Sequence, residues 1–217
     1  MLPIIPGYQT IAQIYESVNS LVYRAIRQED GQPVILKFLK QDSPSPQELT
    51  RYKQEYDITH SLNIEGVINV YDLEYYQNNL VIILEDFGAI SLRELVNSKD
   101  IKFKEFLPYF ISIADILGHI HASNIIHKDI NPSNIVINPS TGILKIIDFG
   151  ISTQLSRENP TLKNPNILEG TLAYISPEQT GRMNRTLDYR TDFYSLGVTF
   201  YELLTGKLPF ETMDALE

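Results

Sequence analysis

His127-Lys128-Asp129-Ile130-Asn131-Pro132-Ser133-Asn134 puts a carboxylate and a carboxamide five residues apart, at Asp129 and Asn134. Fourteen residues after Asn134 comes Asp148-Phe149-Gly150, and thirty after Asp148 comes Glu178, closing Ser176-Pro177-Glu178. Far upstream, Val34-Ile35-Leu36-Lys37 ends in a lysine on a strand-like run. Each piece alone has an ordinary explanation. Lys37 reads as a strand lysine reaching solvent, Asp148-Phe149-Gly150 as a turn, and His127 as a structural histidine. The order and joint spacing of the four are what argue for chemistry.

The surroundings place these motifs on elements. Thr10–Glu16, Leu21–Gln28 and Pro33–Leu39 are rich in β-branched and aromatic residues, with Asp30-Gly31 as a turn, and read as a meander. Ser45-Pro46-Gln47-Glu48 combines a cap, a proline at the first helical position and a closing glutamate. Leu49, Tyr52, Tyr56 and Thr59 then repeat at helical spacing, with Glu55 near that inward face. Val67–Leu73 and Leu80–Leu84 read as further strands. After Phe87-Gly88 the pattern turns helical. Ser91-Leu92-Arg93-Glu94 forms a second capping box, Phe106–His121 is apolar on nearly every side, and Asp192–Leu204 is a further apolar helix. Ile135–Ile137 and Ile143–Ile147 flank a hairpin turn, and residues 151–169 are polar and irregular.

Taken together, the four motifs resemble the protein-kinase family, from about residue 8 to the end of the chain. The resemblance implies an α+β bilobal fold, with a strand-rich N-lobe over residues 1–87 and a helical C-lobe over 88–217. It implies ATP and Mg²⁺ as cofactors and serine or threonine hydroxyls of proteins as acceptors. Phosphoryl transfer asks a protein mainly to align two oxygens and neutralise phosphate charge. Asp129 matches the residue that orients the attacking hydroxyl, and Asn134 and Asp148 match the metal-binding positions, where hard oxygen ligands suit Mg²⁺. Lys37 matches the cation on the α- and β-phosphates, and Glu55, eighteen residues on, matches its anionic partner; Glu48 competes for that place but suits a capping role better. Val22, Ile35 and Val136 match the apolar positions around the base, Leu84 the position controlling the back pocket, and Glu85 its neighbour in the nucleotide site. Gly170 to Glu178 resembles a Ser/Thr-type docking loop, in which Thr171 would hydrogen-bond near Asp129. Residues 178–185 and 189–197 are also similar to the N-terminal kinase domains of large bacterial sensor proteins, in which ATPase, GAF and often histidine-kinase domains follow.

The chain departs from that family in several places. Tyr15, Ser17 and Ser20 stand where glycines cover the phosphates, and only the two serines are small enough to substitute in part. Ile35 replaces a small residue facing adenine. Lys128 replaces an arginine and keeps the charge without the bidentate fork. Asn131 replaces a lysine that contacts the γ-phosphate, so one cation is lost. Glu178 lacks the arginine partner that the family supplies from roughly 50 further residues of helix, judged against usual domain length, so the chain reads as a fragment. Ser152, Thr153, Ser156 and Thr161 are candidate phosphate acceptors.

Composition narrows the field. The 217 residues are 43% apolar, enough for a sizeable core, and the net charge is −9. No basic cluster of the kind that binds nucleic acid is visible. There is no cysteine, which excludes disulfides, Cys-ligated zinc and thiol catalysis. The N-terminus lacks signal-peptide features and no run has membrane-spanning length, so a cytoplasmic protein is expected. Two rivals to an active Ser/Thr kinase remain: a kinase-fold module that binds nucleotide or partners without useful catalysis, and a small-molecule phosphotransferase, against which residues 170–178 argue.

Overall fold

The computed structural model describes residues 3–17, 19–40, 44–77, 79–98, 103–154, 170–180 and 187–210. The chain divides into two compact units, Met1–Asn63 with Ile68–Ala89, and Ile64–Val67 with Ile90–Glu217. The first is strand-rich and the second mostly helical, an α+β arrangement as expected from the motifs.

In the first unit β1 (Tyr8–Glu16), β2 (Ser20–Arg27), β3 (Pro33–Leu39), β4 (Val70–Tyr76) and β5 (Asn79–Glu85) form one antiparallel sheet in the order β1-β2-β3-β5-β4. The β2–β3 turn is closed by Asp30, whose carboxylate accepts from Gln32 N–H and from the Arg27 guanidinium. The Arg27 hydrogen bond, followed by that of Gln32, holds the Asp30 carboxyl down to about 2. Side chains alternate in direction along a strand. Tyr23, Ala25, Val34, Leu36, Phe38, Val81 and Ile83 accordingly share one core with Ile5 and Tyr8. The opposite face carries Val22 paired with Lys37 and Ile35 paired with Leu84. Helix α1 (Pro46–Ser61) starts at the expected capping box, with Ser45 and Glu48 each bonded to the other's backbone N–H. Its buried side is Tyr52, Glu55 and Thr59, and Tyr52 packs in one cluster with Leu80 and Ile82. Edge strand β1 slips register against β2 twice, at Thr10/Ala12 and Gln13/Tyr15, and leaves Ile11, Ile14 and Tyr15 exposed.

The strand expected over residues 67–73 begins instead at Val70. Val67 makes a single parallel bridge to Ile146 in the second unit, and Gly66 O accepts from Ile146 N–H at 2.7 Å. Gly66 has φ +90°, and a Cβ there would lie 2.4 Å from Ile116 Cδ1 and Cγ1. The backbone must therefore turn before a strand can start. Gly66→Ala should lower unfolding free energy by about 2–4 kcal/mol, read from denaturant midpoints. A loss below about 0.5 kcal/mol, the size of a neutral surface change, would contradict this close approach.

The second unit contains β6 (Ile90–Ser91), α2 (Leu92–Ser98), α3 (Phe103–Ala122), β7 (Ile125–Ile126), β8 (Ile135–Ile137), β9 (Leu144–Ile146), β10 (Thr153–Gln154) and α4 (Arg190–Thr205). Strands pair as β6-β8-β9 and as β7 with β10. At the start of α2, Ser91 Oγ accepts from Glu94 N–H, as its capping pattern predicts. Helix α3 is not buried all round: Phe106, Phe110, Ile113, Ile116, Leu117 and Ile120 face inward, while Leu107 and Ile111 are exposed. The buried stripe follows the helical period, so the extra apolar residues fall on its outer side. Phe110 stacks on Phe200 of α4 with centroids 3.9 Å apart, and α4 ends at Gly206 in the left-handed conformation usual after a helix. Among the described residues, no helix is long and apolar enough to cross a membrane.

Candidate active site

In the second unit, residues 127–134 run from β7 to β8 and are pinned from beneath by α4. Asp192 is wholly buried. Its Oδ1 accepts from Lys128 N–H at 2.7 Å, and its Oδ2 from His127 N–H and His121 Nε2, both at 2.8 Å. These bonds hold Lys128 at φ +71°, a conformation costly for a side-chain-bearing residue. The His127 ring lies between two backbone groups, with Nδ1 accepting from Asp129 N–H and Nε2 donating to Ile147 O. That pattern assigns the proton to Nε2. The ring packs edge-to-face with that of Phe149, which is fully buried, their centroids 4.8 Å apart.

On this support the Asp129 carboxylate is held at both oxygens. Oδ1 accepts from Thr171 N–H at 2.9 Å and Oδ2 from Asn134 Nδ2 at 2.9 Å. Asn134 Nδ2 also donates to Asp129 O at 2.8 Å. Both amide hydrogens are thus engaged, and Asn134 Oδ1 is turned outward from Asp129. Asn134 O accepts from Ile147 N–H, which brings Asp148, the next residue, alongside. Asp148 has φ +66° and accepts from Gly150 N–H. Asn131 is buried, donates to Asp129 O and more weakly to Thr171 Oγ1, and accepts from Ser133 N–H. It ties the loop to the segment at 171. Val136 lies half-buried on β8.

The first unit carries the other candidate residues. Lys37 Nζ and Glu55 Oε1 are 2.5 Å apart and both side chains are about nine-tenths buried. Tyr52, one turn before Glu55, donates to Lys37 O and aligns helix and strand. Val22, Ile35 and Leu84 are half-buried on the same sheet face as Lys37. Glu85 Oε1 accepts from Asn69 N–H. Arg24 pairs with Asp86 at 2.6 Å, and Asp86 also accepts from Gly88 N–H. The turn from β1 to β2 holds Ser17 and Ser20 hydrogen-bonded to each other. Glu16 beside it pairs with Lys40; the Lys40 hydrogen bond, then that of Gln13, keeps its carboxyl below the usual range.

The family model for the protein kinase domain matches residues 8–217. This chain belongs to the protein kinase family. A probable serine/threonine-protein kinase of Clostridium perfringens is 32% identical over 205 residues, covering 94% of this chain and 29% of that protein. Serine/threonine-protein kinase PrkC of Bacillus subtilis is 32% identical over 185 residues, 84% of this chain and 28% of its own length. Serine/threonine-protein kinase pkn3 of Myxococcus xanthus is 29% identical over 217 residues, 96% and 39% respectively. The chain therefore spans about three- to four-tenths of the length of these curated relatives.

Within this kinase domain, residues 171–180 are anchored more firmly than the motif alone predicts. Tyr174 O accepts from Ser195 Oγ at 2.7 Å, and its phenol bonds to both Arg93 and Glu202. Arg93 in turn grips Glu202 with two nitrogens, at 2.8 and 3.1 Å. Burial, then the Glu202 hydrogen bond, pushes the Tyr174 phenol well above its ordinary range. Burial opposes the Arg93 charge, but Glu202 outweighs it and its pKa rises. Glu178 has a partner in the kinase domain itself: Thr191 Oγ1 donates to it at 3.1 Å. Gln179 bridges Ser176 N–H and Lys128 O. Of the candidate phosphate acceptors, Ser152 is buried and donates to His127 O, Thr153 sits half-buried in β10, and Ser156 and Thr161 lie outside the described residues. Asp192, Arg93 and Glu202 drew no functional reading from the sequence because their partners are 28–109 residues away.

Proposed function

We propose that this kinase domain transfers the γ-phosphate of ATP, with Mg²⁺, to serine or threonine hydroxyls of proteins in bacterial signalling. The observation that carries the reading is the Asp129 carboxylate, held at one oxygen by Thr171 N–H and at the other by Asn134. A carboxylate fixed in this way is pre-oriented to accept the hydrogen bond of an attacking hydroxyl, with its position set before the substrate arrives. Thr171 belongs to the docking segment, so the acceptor loop and Asp129 share one hydrogen bond. In the first unit, Lys37 is the cation for the α- and β-phosphates, and Glu55 keeps its ammonium from turning to solvent. Val22, Ile35, Leu84, Glu85 and Val136 are the residues we assign to the base.

The donor set fits a hard cation. Asn134 has its amide hydrogens engaged and presents oxygen, and Asp148 adds a carboxylate one residue beyond Asn134's backbone partner. Among the described residues no three His, Cys, Asp or Glu side chains group to hold a metal. Phosphate and water oxygens would fill the remaining positions, which is the habit of Mg²⁺. When bound, Mg²⁺ supplies neutralisation of charge on the phosphates. Asn131 lacks the positive charge of lysine, which on this reading slows transfer without abolishing it.

The similarity of residues 178–185 and 189–197 to large bacterial sensor kinases, and the greater length of the curated relatives, support further C-terminal domains as partners. The test is transfer of radiolabel from Mg-ATP to the purified protein or an added protein substrate, in parent and Lys37→Met. Loss of one positioned charge should cut the rate by about a hundredfold. Equal labelling in both would overturn the role given to Lys37. A second reading, a nucleotide-binding module without useful catalysis, is favoured by the glycine-free turn at Tyr15–Ser20. Stabilisation by ATP with no labelling of any protein would select it.

A further inference from the structure

The turn joining β1 to β2 is closed by its own serine. Ser17 Oγ accepts from Ser20 N–H at 2.9 Å and from Asn19 N–H at 3.2 Å, and it shares a 2.9 Å hydrogen bond with Ser20 Oγ. Ser17 N–H donates to Ser20 O at 2.9 Å. The amide hydrogens of residues 17, 19 and 20 are therefore all directed into the turn. Just after β3, Lys40 N–H donates to Asn19 O, and Lys40 Nζ reaches both Glu16, at 2.5 Å, and Ser17 O, at 3.5 Å.

A turn that cradles phosphate does so by aiming successive backbone N–H groups at the anion. Here two of those groups must first leave the Ser17 hydroxyl. A residue without a side-chain acceptor at position 17 would leave them available at no such cost. We propose that Ser17 restrains nucleotide binding by holding the amides of Asn19 and Ser20 on its own hydroxyl, withholding those two groups from the phosphates of a nucleoside triphosphate. The inference rests on the reading of the chain as an ATP-dependent kinase. The apparent affinity of such a protein is its intrinsic affinity reduced by the fraction of molecules with the turn open. Adenosine, which has no phosphates, is insensitive to that fraction.

The experiment is calorimetric titration of Mg-ATP and of adenosine into parent, Ser17→Ala and Ser17→Thr proteins, with thermal melts to establish folding. Ser17→Ala should bind ATP about three- to tenfold more tightly, the weight of one or two net hydrogen bonds against an open turn. Adenosine affinity should stay within about twofold, since its binding is not linked to the turn. Ser17→Thr restores the hydroxyl and should restore parental ATP affinity. Unchanged ATP affinity in Ser17→Ala would overturn the inference by establishing that the turn opens freely. Weaker ATP binding would overturn it by making the hydroxyl a phosphate contact. If neither ligand binds any folded protein, the nucleotide reading falls and the inference falls with it.

Discussion

An Asp129→Asn protein is expected to transfer phosphate about a thousandfold more slowly than its parent, the scale of a lost general base. The substitution is nearly isosteric, so the loop keeps its shape. One side-chain oxygen can still accept from Thr171 N–H, as Asp129 Oδ1 does now. The other position becomes an NH₂ facing Asn134 Nδ2, where the native carboxylate receives a hydrogen bond at 2.9 Å. Two donors in opposition force one amide to turn, and Asn134 loses the bond that directs its oxygen. The stability cost should stay within about 2 kcal/mol, because Asn134 keeps its second bond, to Asp129 O. Initial rates of radiolabel transfer, run beside thermal melts, check both statements. A folded variant working within tenfold of the parent would remove Asp129 from the mechanism.

Asp192→Asn should act on stability first and on transfer as a result. The native carboxylate receives three hydrogen bonds with no exposure to solvent. An amide offers one acceptor oxygen, and its NH₂ must face either Lys128 N–H or the pair formed by His127 N–H and His121. Leaving a buried donor unpaired and losing charge-assisted bonds should cost about 2–4 kcal/mol. For a chain of this size that corresponds to roughly 5–12 °C in melting midpoint. Lys128 would also lose the bond that holds its positive φ, and relaxation there carries Asp129 with it. Transfer should fall by more than the unfolded fraction explains, measured well below the melting range. A variant that melts like the parent would contradict the anchoring role.

Much of the architecture was legible in the residues because its causes are local. The capping box at Ser45, the turn at Asp30-Gly31 and the alternation along β2, β3 and β5 each depend on neighbours a few positions apart. The loop at 127–134 was legible for the same reason, since Asn134 reaches Asp129 across five residues. What escaped notice depends on distant segments. Nothing near Asp192 indicates that it will receive the amides of His127 and Lys128, and the Arg93–Tyr174–Glu202 cluster joins three separate stretches. The start of β4 was misplaced because Val67 is apolar enough for a strand, while the obstacle is the crowding of Gly66 against Ile116. Helix α3 looked buried on every side because hydrophobicity alone does not say which apolar residues find a neighbour.

The two register slips in β1 bear on how this protein behaves when concentrated. A long flat edge strand with exposed isoleucines and a tyrosine is a template on which a second molecule can extend the sheet, the first step of aggregation. Each bulge kinks the strand and steepens its twist, so hydrogen-bonding groups on the open side no longer fall in an even row. Ile11, Ile14 and Tyr15 can therefore stay on the surface without making that edge adhesive to its own kind. Irregularity at this border acts as a solubility device, and straightening it would trade a tidier sheet for a stickier protein.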